Sequence, residues 1–162
     1  MSDAMIQIIT LLILANGAPI VLRKLCGSSL GWSVDSGKNW PWDGRPVLGK
    51  DKTWRGVTGS LMLTGIVSGL LWEQFWLGFT VAGWAMVGDL FSSFIKRRLH
   101  YEPGAMALGL DQIPESLFPL MAVRSEMGLG MGEVLILVAI FLILELLLSR
   151  WLFVLHIRER PY

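Results

Sequence analysis

VGDLFSSFIKRRLHYEPGAMALGLDQIPESL, residues 87–117, decides how the rest of the chain is read. It starts inside an apolar run, where Asp89 is out of place unless it has a task. It continues through the basic cluster Lys96, Arg97 and Arg98, turns at Pro103-Gly104, and reaches a second carboxylate, Asp111, just ahead of another apolar run. At about 100° of rotation per helical residue, Asp89, Ser92, Ser93, Lys96 and Arg97 fall on one stripe. An acid within a membrane span is costly and by default marks a functional site. The plainer alternative is a structural ion pair from Asp89 to Lys96 or to a loop cation. Two carboxylates and a basic triplet at the edge of an apolar bundle point to a metal and phosphate site.

The composition around this stretch sets the class. The 162-residue chain is 53% hydrophobic and 17% charged, with a mean hydropathy of +0.55; soluble domains carry about 25% charged residues. The expectation is an all-α integral membrane protein forming one polytopic domain over residues 1–162. Eighteen Gly and eight Trp agree with this, because Gly is frequent in membrane helices and Trp gathers at interfaces. A net charge of +1 gives no reason to expect a nucleic-acid partner. Cys26 is the only cysteine, so there is neither an internal disulfide nor a CxxC site.

Five spans are expected, at about residues 5–22, 57–72, 75–95, 112–124 and 133–149. The first reads as a retained span rather than a signal peptide, because it lacks a basic leader and begins with Asp3. Asn16 within it is expected to face protein. The fourth is short and holds Pro114, Glu115 and Pro119, so it is either a kinked span or a re-entrant segment. Placing loops 23–56 and 96–111 and the C-terminal tail in the cytoplasm puts all of the 14 Lys and Arg there except Arg124. The positive-inside rule then gives an outside N-terminus and a cytoplasmic C-terminus. Both motif-bearing loops fall on one face, which makes this a multi-pass cell-membrane protein with a cytoplasmic active site. Gly59, Gly65 and Gly69 read as a helix-packing face, with a lipid groove as the other possibility.

The first loop contains PWDGRPVLGKDKTWRG, residues 41–56. Gly44, Gly49 and Gly56 let backbone approach an anion, and Arg45, Lys50, Lys52 and Arg55 bring charge to phosphate oxygens. A loop made basic only by topology is the competing reading. Carboxylate oxygens suit Mg²⁺, which commonly shares its shell with substrate phosphates. No Ser-His-Asp set, reactive Cys or zinc signature is present. That fits phosphoryl-type transfer, where positioning and charge stabilisation dominate.

GDLFSSFIKRR, a Pro-Gly turn and then LDQ resemble the signature of the CDP-diacylglycerol synthase superfamily, and DGRPVLGKDKTWRG resembles its archaeal branch, the CDP-archaeol synthases. The resemblance implies that CTP and 2,3-bis-O-geranylgeranyl-sn-glycerol 1-phosphate give a CDP-lipid and pyrophosphate, with Mg²⁺. It implies Asp89 and Asp111 as metal ligands, and Asp89, Lys96 and Asp111 as the catalytic set. Ser93, Arg97 and Gln112 would serve substrate phosphates together with Lys52, Thr53 and Arg55, and more weakly Asp43 and Arg45. The family has an acid where this chain has Pro114. Either the neighbouring Glu115 replaces it after a local shift, or the metal has one ligand fewer. The partners implied are CTP, an isoprenoid glycerol phosphate lipid and the membrane, with a homodimer allowed. A CTP-dependent polyprenol-type lipid kinase and a small transporter are the alternatives.

Overall fold

The structure, a computed structural model, describes residues 2–27 and 31–155. Five helices follow one another: α1 (Asp3–Cys26), α2 (Trp54–Trp72), α3 (Phe75–Arg98), α4 (Gln112–Val123) and α5 (Met131–Val154). The helices α1, α3 and α5 have 24 residues each and are apolar enough to cross a membrane. At 1.5 Å per residue each is about 36 Å long, more than the roughly 30 Å of a hydrocarbon core. The helix α4, with 12 residues, is only about 18 Å long. Most of the tail cations expected in the cytoplasm lie outside the described residues.

The helices run up and down. Gln7 Nε2 on α1 donates to Gln74 Oε1 in the α2–α3 turn (2.8 Å), which places that turn beside the start of α1. A core of Ile8, Leu11, Leu12, Leu77, Val81, Leu120, Val123, Val134, Leu137 and Phe141 joins α1, α3, α4 and α5. Segments 31–53 and 99–111 therefore meet at the opposite end. Arg98 Nη2 donates to the Pro46 carbonyl there, at 2.7 Å.

Small residues set how closely the helices approach. A Cβ on Gly78 would lie 2.5 Å from the Thr64 carbonyl oxygen, so α2 and α3 touch through backbone. Gly59 lies against Leu22, while Gly65 and Gly69 lie against Phe75, so these three glycines belong to helix packing. Pro19 stays within α1 although it has no N–H to give the carbonyl four residues back. That carbonyl, on Ala15, instead accepts from Ser60 Oγ of α2 at 2.7 Å. A serine thus repairs the proline's missing hydrogen bond and fixes the α1–α2 crossing. Asn16 lines the crevice between α1 and α5 with Glu145 and Ser149, and its Nδ2 donates to the Leu12 carbonyl at 2.9 Å.

Candidate active site

The α3 stripe is real. Ser92, Ser93, Lys96 and Arg97 are buried, with Asp89 one turn before them. The helix runs three residues past the expected end at 95, since cations in a last turn favour the helix macrodipole. Asp89 finds a partner 37 residues away: Lys52 Nζ donates to Asp89 Oδ1 at 2.5 Å. The ion pair with a loop cation, the plain alternative for Asp89, is therefore present.

The carboxylate beside Asp89 comes from α4. A Cβ on Gly88 would lie 2.3 Å from the Pro114 carbonyl oxygen and 2.8 Å from the Glu115 nitrogen. Only a glycine lets α4 come this close. The contact sets buried Glu115 on α4 against the turn of α3 that carries Asp89. Asp111 is engaged differently: Oδ1 pairs with Lys96 Nζ at 2.7 Å, and Oδ2 accepts from the Ala107 N–H at 3.0 Å. Lys96 also donates to the Ala105 carbonyl at 3.0 Å. Gln112 Oε1 accepts from the Gly109 N–H at 2.8 Å, so this side chain braces the loop ahead of α4.

Lys52 lies among acids. Burial disfavours its ammonium, but Asp89 above all, then Glu115 and Asp111, hold its pKa above the ordinary 10.5. Arg97 is only 4% exposed. Its Nη2 donates to the Glu102 carbonyl at 2.9 Å, while Nε and Nη1 have no hydrogen-bond partner among the described residues. A buried guanidinium with unsatisfied N–H groups has donors to spare for an anion, although it does not line the cleft beside Lys52.

Outside the Lys52–Asp89 pair is a cleft of about 370 Å³ between the first loop and the ends of α1 and α3. Arg23, Lys50, Asp51, Lys52, Thr53, Arg55 and Asp89 line it. Thr53 also has a structural task, capping α2 by accepting from the Gly56 N–H at 3.2 Å. Arg55 Nη1 donates to the Gly27 carbonyl at 2.9 Å. Asp43 and Arg45 do not line the cleft. Asp43 pairs with Arg98 at 2.9 Å, and the Arg45 backbone N–H donates to Asp43 Oδ1 at 3.0 Å. Arg98 lies over the rings of Phe94 (5.0 Å) and Trp40 (5.8 Å). The third member of the basic triplet thus staples the first loop to α3.

Asp35 is a key residue that the motifs do not reveal. It accepts from the backbone N–H groups of Leu48 (3.0 Å), Gly49 (2.9 Å) and Gly37 (3.0 Å), and so folds the first loop back on itself. Burial pushes its carboxyl up, but the amides of Gly49, Leu48 and Gly37 prevail and hold it below the usual 3.8. The Asp-Ser-Gly run at 35–37 is a turn signal that could have flagged it.

Among the described residues no three His, Cys, Asp or Glu side chains form a ready-made metal cage. The donor set nonetheless fits a hard divalent cation. The α3–α4 contact brings the carboxylates of Asp89 and Glu115 into one neighbourhood, and an ammonium already pairs with Asp89.

Known proteins share this architecture. The CarS-like family, described as CDP-archaeol synthase, matches residues 66–162. The CDP-archaeol synthase of Pyrococcus furiosus is 37% identical over 136 residues, covering 78% of this chain and 77% of that one. The CDP-archaeol synthase of Sulfurisphaera tokodaii is 31% identical over 156 residues, covering 93% and 90%. A solved structure described as an intramembrane enzyme for archaeal membrane lipids biosynthesis superposes with a TM-score of 0.63 at 28% identity, covering 85% of this chain and 91% of that one. With the apolar helices, these matches make the chain a membrane protein and a transferase of lipid biosynthesis, a member of the CDP-archaeol synthase family.

Proposed function

We propose that the chain transfers the cytidylyl group of CTP to 2,3-bis-O-geranylgeranyl-sn-glycerol 1-phosphate, giving the CDP-activated lipid and pyrophosphate. One observation carries the site assignment: the Lys52 ammonium pairs with Asp89 at 2.5 Å at the wall of a cleft lined by further cations. The cleft takes the nucleotide, with Lys52 and Arg55 of its lining directed to its phosphates. Asp89 and Glu115 would hold Mg²⁺, with the remaining ligands from phosphate and water. Glu115 thus takes the place of the family acid absent at Pro114. Bound there, Mg²⁺ supplies neutralisation of charge on the phosphates around the breaking bond. The lipid phosphate arrives anionic, so its oxygen attacks the α-phosphorus without a general base. The bond from the α-phosphorus to the bridging oxygen breaks, and pyrophosphate leaves with the electron pair. Asp111 keeps Lys96 fixed beside this centre.

The same reading places five passes in the cell membrane, with the N-terminus outside and the two loops in the cytoplasm. The short α4 is sheltered by α3 and α5 rather than spanning by its own length. The site lies at one end of the bundle, which favours chemistry at an interface over a transport path.

The test is pyrophosphate release by the purified chain in detergent with CTP, Mg²⁺ and the geranylgeranylated glycerol phosphate. Release should require the lipid and fail when ATP replaces CTP. Release of CDP without pyrophosphate would make the chain a lipid kinase and overturn the proposal.

A further inference from the structure

Lys52 occupies the face of Asp89 that a metal ion would need. Its ammonium lies 2.5 Å from Asp89 Oδ1, with Glu115 the next strongest acidic influence on it. Glu115 is brought beside Asp89 by the packing of the Pro114 and Glu115 backbone on Gly88. Two partly buried acids on adjoining helix turns repel unless a cation or proton lies with them. Lysine supplies one charge and three donors on a flexible stem. A divalent cation supplies two charges and requires oxygens at about 2.0–2.1 Å. The two cannot share one carboxylate face, because they fill the same space and repel each other.

The surroundings give the ammonium somewhere to go. Lys52 and Asp89 both line the 370 Å³ cleft, and Lys52 is carried by a loop rather than by a helix. Its backbone is anchored independently of its side chain: the carbonyl accepts from the Val34 N–H at 2.8 Å, and the N–H donates to the Gly49 carbonyl at 3.2 Å. The side chain can therefore leave Asp89 without unfolding the loop.

We propose that Lys52 is a built-in placeholder for the divalent cation: the two alternate on Asp89, and the arriving cation moves the ammonium off the carboxylate pair and into the cleft. The inference rests on the divalent-cation reading above. It makes Lys52 a positioning residue for the Asp89–Glu115 pair before it is a phosphate ligand. It also couples the two binding events, since the cation that fills the carboxylates frees a charge for the phosphates.

The test uses the full chain in detergent without nucleotide, with Mn²⁺ as the probe and free Mn²⁺ read by electron paramagnetic resonance. The wild type should show a saturable site that Asp89→Asn lacks. Lys52→Met should bind Mn²⁺ at least about tenfold more tightly, because the competing charge is gone. Equal binding by wild type and Asp89→Asn would sink the divalent-cation reading itself. A wild-type site that Lys52→Met does not tighten would sink the placeholder alone. A second measurement needs no variant: acylation of Lys52 by acetic anhydride, followed by mass spectrometry with exposed Lys38 as reference. Mn²⁺ should raise Lys52 labelling several-fold relative to Lys38; unchanged or reduced labelling would overturn the proposal.

Discussion

Two glycines on α3 solve the same steric problem with different results. At Gly78 the neighbouring backbone is that of Thr64 on α2, and the surroundings are Ser68, Thr64 and apolar side chains. At Gly88 the neighbouring backbone is that of Pro114 on α4, and the next residues on each helix are Asp89 and Glu115. A side chain fits at neither position. The first contact makes a scaffold; the second brings two acid-bearing helix turns together. Close approach costs the same backbone freedom in both places, so what distinguishes the catalytic end is the chemistry of the flanking residues. The proline contributes too. It has no N–H to leave unsatisfied in the first turn of α4, and its carbonyl is the atom that meets Gly88.

The strongest way to break this comparison is to remove the acid and keep the contact. Asp89→Asn retains the shape and the Gly88–Pro114 packing but loses the charge. Pyrophosphate release should fall by at least about 10³-fold, as when a central stabilising group is lost. The thermal midpoint in detergent should fall by only a few degrees, since Lys52 loses its partner while the α3–α4 packing stays. An Asp89→Asn enzyme within tenfold of wild type would remove Asp89 from the reaction centre.

The next test separates the two glycines. Gly88→Ala and Gly78→Ala each place a methyl within 2.5 Å of a backbone oxygen. Both should destabilise by about 1–3 kcal/mol, the usual cost of overpacking. Only Gly88→Ala should also lower kcat of the folded fraction, by about 10²-fold, since a 1 Å displacement of a reacting group costs that much. Equal kcat values for the two variants would mean that the α3–α4 contact does not position the acids.

This contrast also shows what was legible in the chain. The apolar runs gave all five helices, and α1, α3 and α5 exceed their expected spans by a few residues at charged or capped ends. Asp89, Lys96 and Arg97 could be placed on one face from helical spacing alone, because that contact information is local. The partner of Asp89 could not, since Lys52 reaches it across 37 residues and several loop cations were equivalent in sequence. Glu115 was ambiguous for a related reason. Its helix register against α3 is set by the Gly88–Pro114 contact, which no single helix encodes. Asp43 was placed weakly among the phosphate-binding residues by the family resemblance, yet its carboxylate pairs with Arg98. A loop read only by composition does not say which of its charges hold the loop together.

Asp35 gives the smallest and most specific effect, because it acts on the first loop and touches none of the acids on α3 and α4. Its carboxylate ties three backbone N–H groups, two of them at Leu48 and Gly49, just ahead of Lys50 and Lys52. Asp35→Ala leaves those donors to water and should cost about 1–2 kcal/mol, discounted for partial exposure. The thermal midpoint should fall by a few degrees. KM for CTP should rise several-fold while kcat stays near wild type, because the loop, not the reacting centre, is loosened. The pH dependence has a definite sign. Since the folded pKa lies below 3.8, this contribution is complete above 3.8 and is lost as pH falls through the lower folded value. Above pH 5, stability should therefore differ between wild type and Asp35→Ala by a constant amount, and the gap should close only in stronger acid. A gap that closed near neutral pH would assign the loop's stability to another group, and a kcat loss with unchanged KM would move Asp35 from the loop's fold into the chemistry.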